Sequence, residues 1–269
     1  ISYYSEITAN DVIKALEDYF DISKKTPDYL TFSGTGEPTL NCNIGEIVRC
    51  IKKEFDIPLC LLTNSSTLTD IQVIKRISEC DLVMPSLDAV TQSIFEKINR
   101  PVSGIKIEDI IEGIKNLIQF SKGKVIIEIL FVKGLNDTED EIKRLSDIVK
   151  EINPHGVCLN TVKRPPADES IFGLSDVDIE IIGKTYFKDY VYNVFKKDGI
   201  DNRSSLIKID EEFRKMLEIR SASIDDVMTL FKLSYKDAQR MIYSLAESNE
   251  DYYLTNYNGR IRLHYGTKK

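Results

Sequence analysis

The sequence contains no run of the roughly 18 to 20 uncharged apolar residues that a bilayer-spanning helix requires. Its first residues, Ile1-Ser2-Tyr3-Tyr4, do not open a signal peptide. With 42% hydrophobic and 29% charged residues over 269 positions, the composition is typical of a soluble chain with one large and one small domain. We therefore expect a cytoplasmic protein with no membrane partner.

The cysteines lack the close spacing of a local metal or cluster site. None stands in a C-x-x-C or C-x-x-x-C-x-x-C arrangement, and an odd number in a chain of this size favours a reducing compartment over disulfides. Most are expected to be small buried hydrophobes. The five are Cys42, Cys50, Cys60, Cys80 and Cys158. The two histidines, His155 and His264, fall in a predicted turn and a predicted strand, and we assign neither a catalytic role.

An excess of positive charge is also missing. The net charge is −7, which argues against a nucleic-acid footprint spread over the whole molecule. Residues 206–269 hold eleven Lys and Arg against ten Asp and Glu, so this part is nearly neutral.

The first two-thirds of the chain repeat one unit, in which a short apolar run precedes a polar turn and a segment of helical periodicity. Such alternation predicts an α/β fold with parallel strands. The predicted strands are Tyr29–Phe32, Pro58–Leu62, Leu82–Pro85, Lys124–Phe131, Gly156–Asn160 and Val191–Phe195. The predicted helices are Asp11–Phe20, Ile44–Phe55, Thr69–Ser78, Ile107–Phe120, Thr138–Ile152, which opens on the capping pattern Thr138-x-x-Glu141, and Asp176–Lys188.

Polar residues follow five of these predicted strands. Ligands of parallel sheets collect at the carboxyl ends of the strands, so the pattern indicates a binding site there. Because turns are polar in any protein, each of these residues taken alone is equally explained as an ordinary turn residue with no part in a binding site. The residues are Ser33 to Glu37, Thr63 and Asn64, Ser86 and Asp88, Lys133 and Asn136, and Asn160 and Thr161.

After about Gly199 the pattern changes to short helices and a hairpin, so we expect domains at 1–200 and 201–269. Asn258-Gly259 is a strong hairpin turn signal between two apolar segments. Three helices and a two-stranded wing resemble a winged helix-turn-helix. The helices are predicted at Ile207–Ile219, Ser223–Phe231 and Ser234–Ser248, and the wing strands at Tyr252–Tyr257 and Arg260–Tyr265.

The segment from Thr31 to Leu40 places two glycines and a carboxylate directly after the first predicted strand. Glycine lets the backbone approach a ligand closely. No Lys follows as in a Walker A loop, and Pro38 and Thr39 stand where a G-x-G-x-x-G helix would begin. These groups suit the ammonium and carboxylate of an amino-acid moiety better than a phosphate.

This loop, S-G-T-G-E-P-T-L, resembles the Gly-Gly-Glu cofactor loop of radical S-adenosylmethionine (radical SAM) enzymes. Further segments over residues 1–200 resemble successive strand-end motifs of an Fe–S oxidoreductase branch related to the tRNA wyosine synthases. They are Leu61–Ser66, Val83–Ala89, Lys97–Pro101, Phe131–Asp137 and Leu159–Pro166. The resemblance implies a partial (β/α)6 TIM-like barrel that holds S-adenosylmethionine and a [4Fe–4S] cluster at its open top.

The resemblance also implies residue roles. Gly34, Thr35, Gly36 and Glu37 would bind the amino group of the cofactor, and Asn64 its carboxylate or ribose. Further contacts would come from Ser86 and Asp88 on the ribose side, from Glu128, Val132 and Asn160 near the adenosine or substrate, and from Lys133, Asn136 and Arg164 toward an anionic substrate group. Glu128 is equally explained as a strand-end charge or as a buried salt-bridge partner, and Arg164 as part of a solvated loop.

The chain departs from the family in lacking the three cluster cysteines, which we expect N-terminal to Ile1. The segment was removed from the chain, or the chain is a degenerate relative that kept only the fold. As given, the polypeptide is expected to hold no cluster and to be inactive alone.

Two functions follow from these observations. The first is a radical SAM oxidoreductase or modifying enzyme that takes an electron from a donor, forms a 5′-deoxyadenosyl radical and modifies an unidentified substrate, for which tRNA is a candidate. The second is a binding or regulatory platform for a winged-helix module. That module would contact nucleic acid through Lys236, Arg240, Arg260 and Arg262, or would cap a substrate or bind a protein.

Overall fold

The computed structural model describes residues 3–22, 26–34, 36–162, 170–190, 211–248, 251–257 and 260–266. The chain forms two compact units. Among the described residues the first ends at Tyr190 and the second begins at Glu211, so the predicted boundary at residue 200 lies outside the described part. No helix in these ranges is long and apolar enough to cross a membrane.

The first unit alternates strands and helices, as predicted. Its strands are β1 (Leu30–Phe32), β2 (Leu59–Thr63), β3 (Leu82–Pro85), β4 (Lys124–Phe131) and β5 (Gly156–Thr161). Its helices are α1 (Ala9–Ile22), α2 (Ile44–Glu54), α3 (Ile71–Ile77), α4 (Gln92–Asn99), α5 (Ile107–Phe120), α6 (Glu139–Ile152) and α7 (Asp176–Tyr186), with a 3-10 turn at Pro38–Leu40.

The five strands form one parallel sheet in the order β1-β2-β3-β4-β5. Alternate residues of a strand point to opposite faces. Leu59 and Leu61 therefore pack with the helices in the main core, whereas Cys60 belongs to a smaller apolar cluster on the other, concave face. Sequential parallel strands with helices on one face form an incomplete barrel, so all five strand-end loops meet at one edge.

The predicted strands and helices agree with the structure to within two residues at nearly every end. Helix α4 and the 3-10 turn at Pro38–Leu40 were not predicted. The motif Lys97–Pro101 consequently lies at the end of α4 and not at a strand end. The sixth predicted strand, Val191–Phe195, lies outside the described residues.

The second unit contains α8 (Glu211–Ile219), α9 (Ile224–Phe231) and α10 (Tyr235–Ser248) around one apolar core. Its antiparallel sheet has three strands, in the order β6-β8-β7, because β6 (Ala222–Ser223) adds to the predicted hairpin of β7 (Tyr252–Tyr257) and β8 (Arg260–Tyr265). The turn residues Asn258 and Gly259 lie outside the described residues. Assignment as a winged helix stays a prediction.

Arg262 corrects one expectation for this unit. Its guanidinium is 3% exposed and donates hydrogen bonds to Ser221 Oγ at 2.7 Å and to the Ser221 carbonyl at 2.6 Å. Asp226 lies 3.6 Å away. A buried cation with these partners stabilises the sheet and is not available to a nucleic acid, in contrast to the exposed Lys236 and Arg240.

Candidate functional site at the carboxyl edge of the sheet

The loops that follow β1 to β5 carry the predicted site residues, and the structure brings these loops to one edge of the sheet. Some of their polar side chains are buried and bond one loop to the next. Others are exposed at the edge or lie on the concave face. The two groups have different functions.

Glu37 connects the first two loops. Its side chain is buried, and Oε1 accepts hydrogen bonds from Thr39 N at 3.1 Å, Thr39 Oγ1 at 2.6 Å and Thr63 Oγ1 at 2.8 Å. Its Oε2 accepts one from Asn64 N at 2.7 Å. The carboxylate thus caps the 3-10 turn and fixes the start of the β2 loop. With four donors on two oxygens, the carboxylate holds the glycine loop, and its predicted contact with the amino group of the cofactor stays a prediction.

The second and third loops are joined through Ser65, which has a left-handed backbone with φ of 67°. Its hydroxyl donates to the Ser86 carbonyl at 2.9 Å, and Ser86 N donates to the Thr63 carbonyl at 2.9 Å. Leu87 N then donates to the Glu128 carbonyl at 2.9 Å, which carries the connection to β4. Ser86 is half-buried and stays open to the edge.

Asp88 is buried between the third and fourth loops. Oδ1 accepts from Leu130 N at 2.8 Å, and Oδ2 accepts from Asn99 Nδ2 at 2.7 Å. Burial raises the pKa of Asp88 to about 6, with nearby Glu128 adding to the rise and the two hydrogen bonds opposing it. The side chain therefore positions α4 against β4, and the predicted contact with a ribose stays a prediction.

Asn136 does not face the mouth of the barrel, so its predicted role as a substrate contact is wrong. The side chain is 0% exposed, and Nδ2 donates to the carbonyls of Asp88 at 2.7 Å and Leu130 at 2.8 Å. Its Oδ1 accepts from Val132 N at 2.7 Å. The amide is fully used in shaping the β4 loop, and the Val132 side chain is buried with it.

Glu141 belongs to the predicted capping pattern Thr138-x-x-Glu141, but its side chain positions the loop after β3. Thr138 caps α6 as predicted. The Glu141 carboxylate, which is 2% exposed on its side chain, instead accepts from Val90 N at 2.7 Å and from Thr91 Oγ1 at 2.6 Å. It anchors the loop after β3 from a helix about fifty residues away in sequence, and no local pattern reveals such a partner.

Gly34 and Gly36 remain exposed at the end of β1. A Cβ added at Gly36 would meet no atom of the described residues within 4 Å, and one at Gly34 would meet only Gly36 N, at 3.9 Å. Thr35 lies outside the described residues. The backbone here borders open space beside the anchored Glu37, which is the geometry of a cradle for a ligand.

Glu128 and Asn160 face the concave side of the sheet, in line with Ile126 and Cys158 on their strands. Asn160 Nδ2 donates to Glu128 Oε1 at 2.6 Å, and both residues are half-buried. Among the described residues Glu128 pairs with this amide and with no cation. Below it, burial raises the pKa of Cys60 to about 11, so this thiol is neutral at pH 7.

Three further predicted residues line the edge or lie outside the described part. Asn64 is exposed, and its Oδ1 accepts from Ser66 N at 3.0 Å. Lys133 is exposed in the β4 loop. Arg164 lies outside the described residues.

Comparison with known proteins gives a family match. The family model described as the radical SAM superfamily matches residues 2–146. The UPF0026 protein of Methanocaldococcus jannaschii is 34% identical over 249 residues, which cover 84% of this chain and 77% of that protein. A probable dual-specificity RNA methyltransferase RlmN of Prochlorococcus marinus is 23% identical over 62% of this chain and 48% of its own length.

The fold is also found in a solved structure. A radical SAM methyltransferase from Sphaerobacter thermophilus superposes with a TM-score of 0.54 at 17% identity, covering 69% of this chain and 56% of that protein. At this identity the likeness shows the fold alone. The chain spans between 27% and 52% of the length of four further curated relatives.

The hydrogen bonds of Glu37 predict that Glu37→Gln destabilises the protein. A Gln that keeps Oε1 in place turns an NH2 group toward Asn64 N–H, so this part-buried donor loses its acceptor and two donors face each other, at a cost of about 1 to 3 kcal/mol in the free energy of unfolding. Thermal denaturation measures the change. Glu17→Gln, exposed on α1, is the control and should stay within about 0.5 kcal/mol of the parent. Equal stability of both variants would contradict the role of Glu37.

The raised pKa of Asp88 predicts a pH-dependent effect of Asp88→Asn. The folded protein holds this proton up to about pH 6, whereas the ordinary pKa is 3.8. The contribution of Asp88 to the free energy of unfolding is therefore fully present below pH ~4. It falls by on the order of 3 kcal/mol as the pH rises to ~6. The asparagine variant lacks this loss, so its Tm relative to the parent should increase between these pH values.

The exposed Asp18→Asn provides the background pH dependence for this comparison. A Tm difference between Asp88→Asn and the parent that is constant from pH ~4 to ~7 would show that Asp88 titrates alike in the folded and unfolded chains.

Proposed function

Because the chain belongs to the radical SAM superfamily and to the UPF0026 proteins, we propose that it binds S-adenosylmethionine at the carboxyl edge of its parallel sheet. The observation that carries the proposal is the glycine cradle: exposed backbone at Gly34 and Gly36, with open space beside them and Glu37 fixing the loop. When bound, S-adenosylmethionine would supply a sulfonium whose one-electron reductive cleavage, with the electron taken from a donor outside this chain, provides the chemistry of hydrogen-atom abstraction from a substrate.

In this proposal the exposed and concave-face residues contact the cofactor or substrate. The backbone carbonyl and N–H groups of Gly34, Thr35 and Gly36 form hydrogen bonds with the amino-acid part of S-adenosylmethionine. Asn64 contacts the carboxylate or the ribose of the cofactor. Ser86 lies on the ribose side. Glu128 and Asn160 form a polar pair on the concave face near the adenosine or substrate.

The buried residues take a positioning role instead. Glu37 and Asp88 hold the loops through backbone N–H groups, and Asn136 and Val132 lie inside the β4 loop. Lys133 and Arg164 are proposed as contacts for an anionic group of the substrate. Since an RNA methyltransferase is among the relatives, tRNA is a candidate substrate.

The residues of this chain do not fit a [4Fe–4S] cluster. Among the described residues, which include all five cysteines, no three His, Cys, Asp or Glu side chains form a group that could hold a metal ion. Burial also raises the pKa of Cys60 to about 11 and of Cys80 to about 12, whereas cluster ligands are thiolates. We therefore propose the radical chemistry, and the electron donor that it needs, only for a longer protein with a cluster site.

Cofactor binding is tested with Gly36→Leu. The added side chain fills the open cradle, so we expect the affinity for S-adenosylmethionine, measured by isothermal titration calorimetry, to fall by about tenfold or more. Stability should change by less than about 0.5 kcal/mol, because the space at Gly36 is empty and no backbone rearrangement is needed. Gln119→Leu, exposed on α5, is the control. If the parent chain does not bind the cofactor, the alternative of a binding or regulatory platform is favoured.

The cluster statement has its own test. After anaerobic incubation with iron and sulfide followed by gel filtration, the chain should retain no stoichiometric iron and show no sulfide-to-iron absorption. The double variant Cys42→Ser/Cys50→Ser, which removes the two cysteines at the start of α2 and within it, should give the same background. Four irons per chain that survive gel filtration would overturn the assignment.

A further inference from the structure

One segment beside the site carries positive charge with no acidic residue. From Lys97 to Ile107 the chain holds Lys97, Arg100 and Lys106 and neither Asp nor Glu, and acidic residues flank this segment at Glu96 and at Glu108 and Asp109. We call residues 97–106 the basic loop. It joins α4 to α5, and the three cationic side chains are exposed.

The basic loop is fixed at the same edge as the glycine cradle. Asn99 Nδ2 donates to Asp88 Oδ2 at 2.7 Å, and Asp88 Oδ1 accepts from Leu130 N at 2.8 Å. Since Asp88 lies in the loop after β3, this pair holds the C-terminal end of α4 against the loops of the site. The backbone of Arg100, the residue after Asn99, is therefore held next to the site loops, and its guanidinium extends from there.

Both ends of the basic loop are braced. Arg100 adopts a left-handed backbone with φ of 48°, and its N–H donates to the Glu96 carbonyl at 3.2 Å. Such a conformation costs about 1 kcal/mol or more for a residue other than glycine, so surrounding contacts must hold it. The other end of the basic loop is held by the side-chain amide of Gln92. This amide donates to the Ile105 carbonyl at 3.1 Å and accepts from Ile107 N at 2.8 Å.

No carboxylate of the described residues neutralises the three cations. Within the described part of the chain, Lys97, Arg100 and Lys106 form no salt bridge, whereas Lys143 and Lys184 pair with carboxylates one helical turn away. The acidic neighbour Glu96 accepts from Gln92 Nε2 at 2.8 Å. Lys133, in the loop that Asn136 bonds to Asp88, adds a further exposed cation at the same edge.

We propose that the basic loop binds phosphate groups of the substrate at the rim of the site. Several separate cations on a braced loop suit a ligand with successive phosphates better than a single carboxylate, since each pairs with one phosphate and releases its counterion. The inference rests on the proposed function, because it takes the edge with the glycine cradle as the place where substrate enters. The phosphates belong to a polynucleotide or to a free nucleotide.

The test compares two triple variants of the 269-residue chain. Lys97→Gln/Arg100→Gln/Lys106→Gln removes the cations of the basic loop. Lys53→Gln/Lys122→Gln/Lys150→Gln removes the same charge from exposed lysines at the opposite edge of the sheet, where α2 and α6 end and β4 begins. Binding of a fluorescein-labelled single-stranded RNA is measured by fluorescence anisotropy over a salt series, and binding of adenosine 5′-monophosphate by calorimetry.

For a polynucleotide we expect the basic-loop variant to bind the RNA about tenfold more weakly, with the slope of log K against log salt reduced by about 2, and the control to bind like the parent. Loss confined to the mononucleotide would instead support the free-nucleotide source. Equal losses in both variants, unchanged binding in the basic-loop variant, or a parent that binds neither probe would overturn the inference.

Titration of the same three proteins with S-adenosylmethionine separates the two proposals. A parent that binds the cofactor and neither phosphate probe refutes the basic loop alone. A parent that binds no cofactor refutes the proposed function, whatever the phosphate probes show.

Discussion

The buried carboxylate of Glu37 is the contact on which the arrangement of the site depends. Beyond the sheet ladder, the strand-end loops share few backbone hydrogen bonds, so buried side chains do much of the work of holding them in register. Glu37 connects the first loop to the second by accepting from Thr63 Oγ1 and Asn64 N. Ser65 connects the second loop to the third, and Asp88 and Asn136 connect the third to the fourth. Because each of these groups is largely withdrawn from water, a lost partner leaves a buried polar atom unsatisfied.

This chain of contacts divides the polar residues of one edge into two kinds. Glu37, Asp88, Asn136 and Glu141 are buried and bond to backbone N–H or carbonyl groups, whereas Gly34, Gly36, Asn64 and Lys133 are exposed. Such a division permits a rigid edge with free ligating groups, which is what a binding site for a flexible cofactor requires. The basic loop extends the same principle, since Asp88 fixes its position and leaves its cations in solvent.

The cluster chemistry of the superfamily is the part that this chain does not supply. Its cysteines are spread over the α/β unit, and the two most buried are neutral thiols at pH 7. The described part of this edge has exposed glycines beside an anchored carboxylate and no group of side chains that could hold a metal ion, so cofactor binding and electron transfer can be tested separately. The second unit contributes a separate core, in which Arg262 serves packing.

The alternation of apolar runs and helical segments determined the parallel sheet, because this signal is local in sequence, and the glycine loop after β1 gave the proposed site. The burial of Glu37 and Asn136, the role of Glu141 and the place of α4 were decided by tertiary structure. Their partners lie up to about fifty residues away, and a polar residue at a strand end has the same sequence signature whether it faces a ligand or a backbone amide. The relation to the tRNA wyosine synthases stays a prediction.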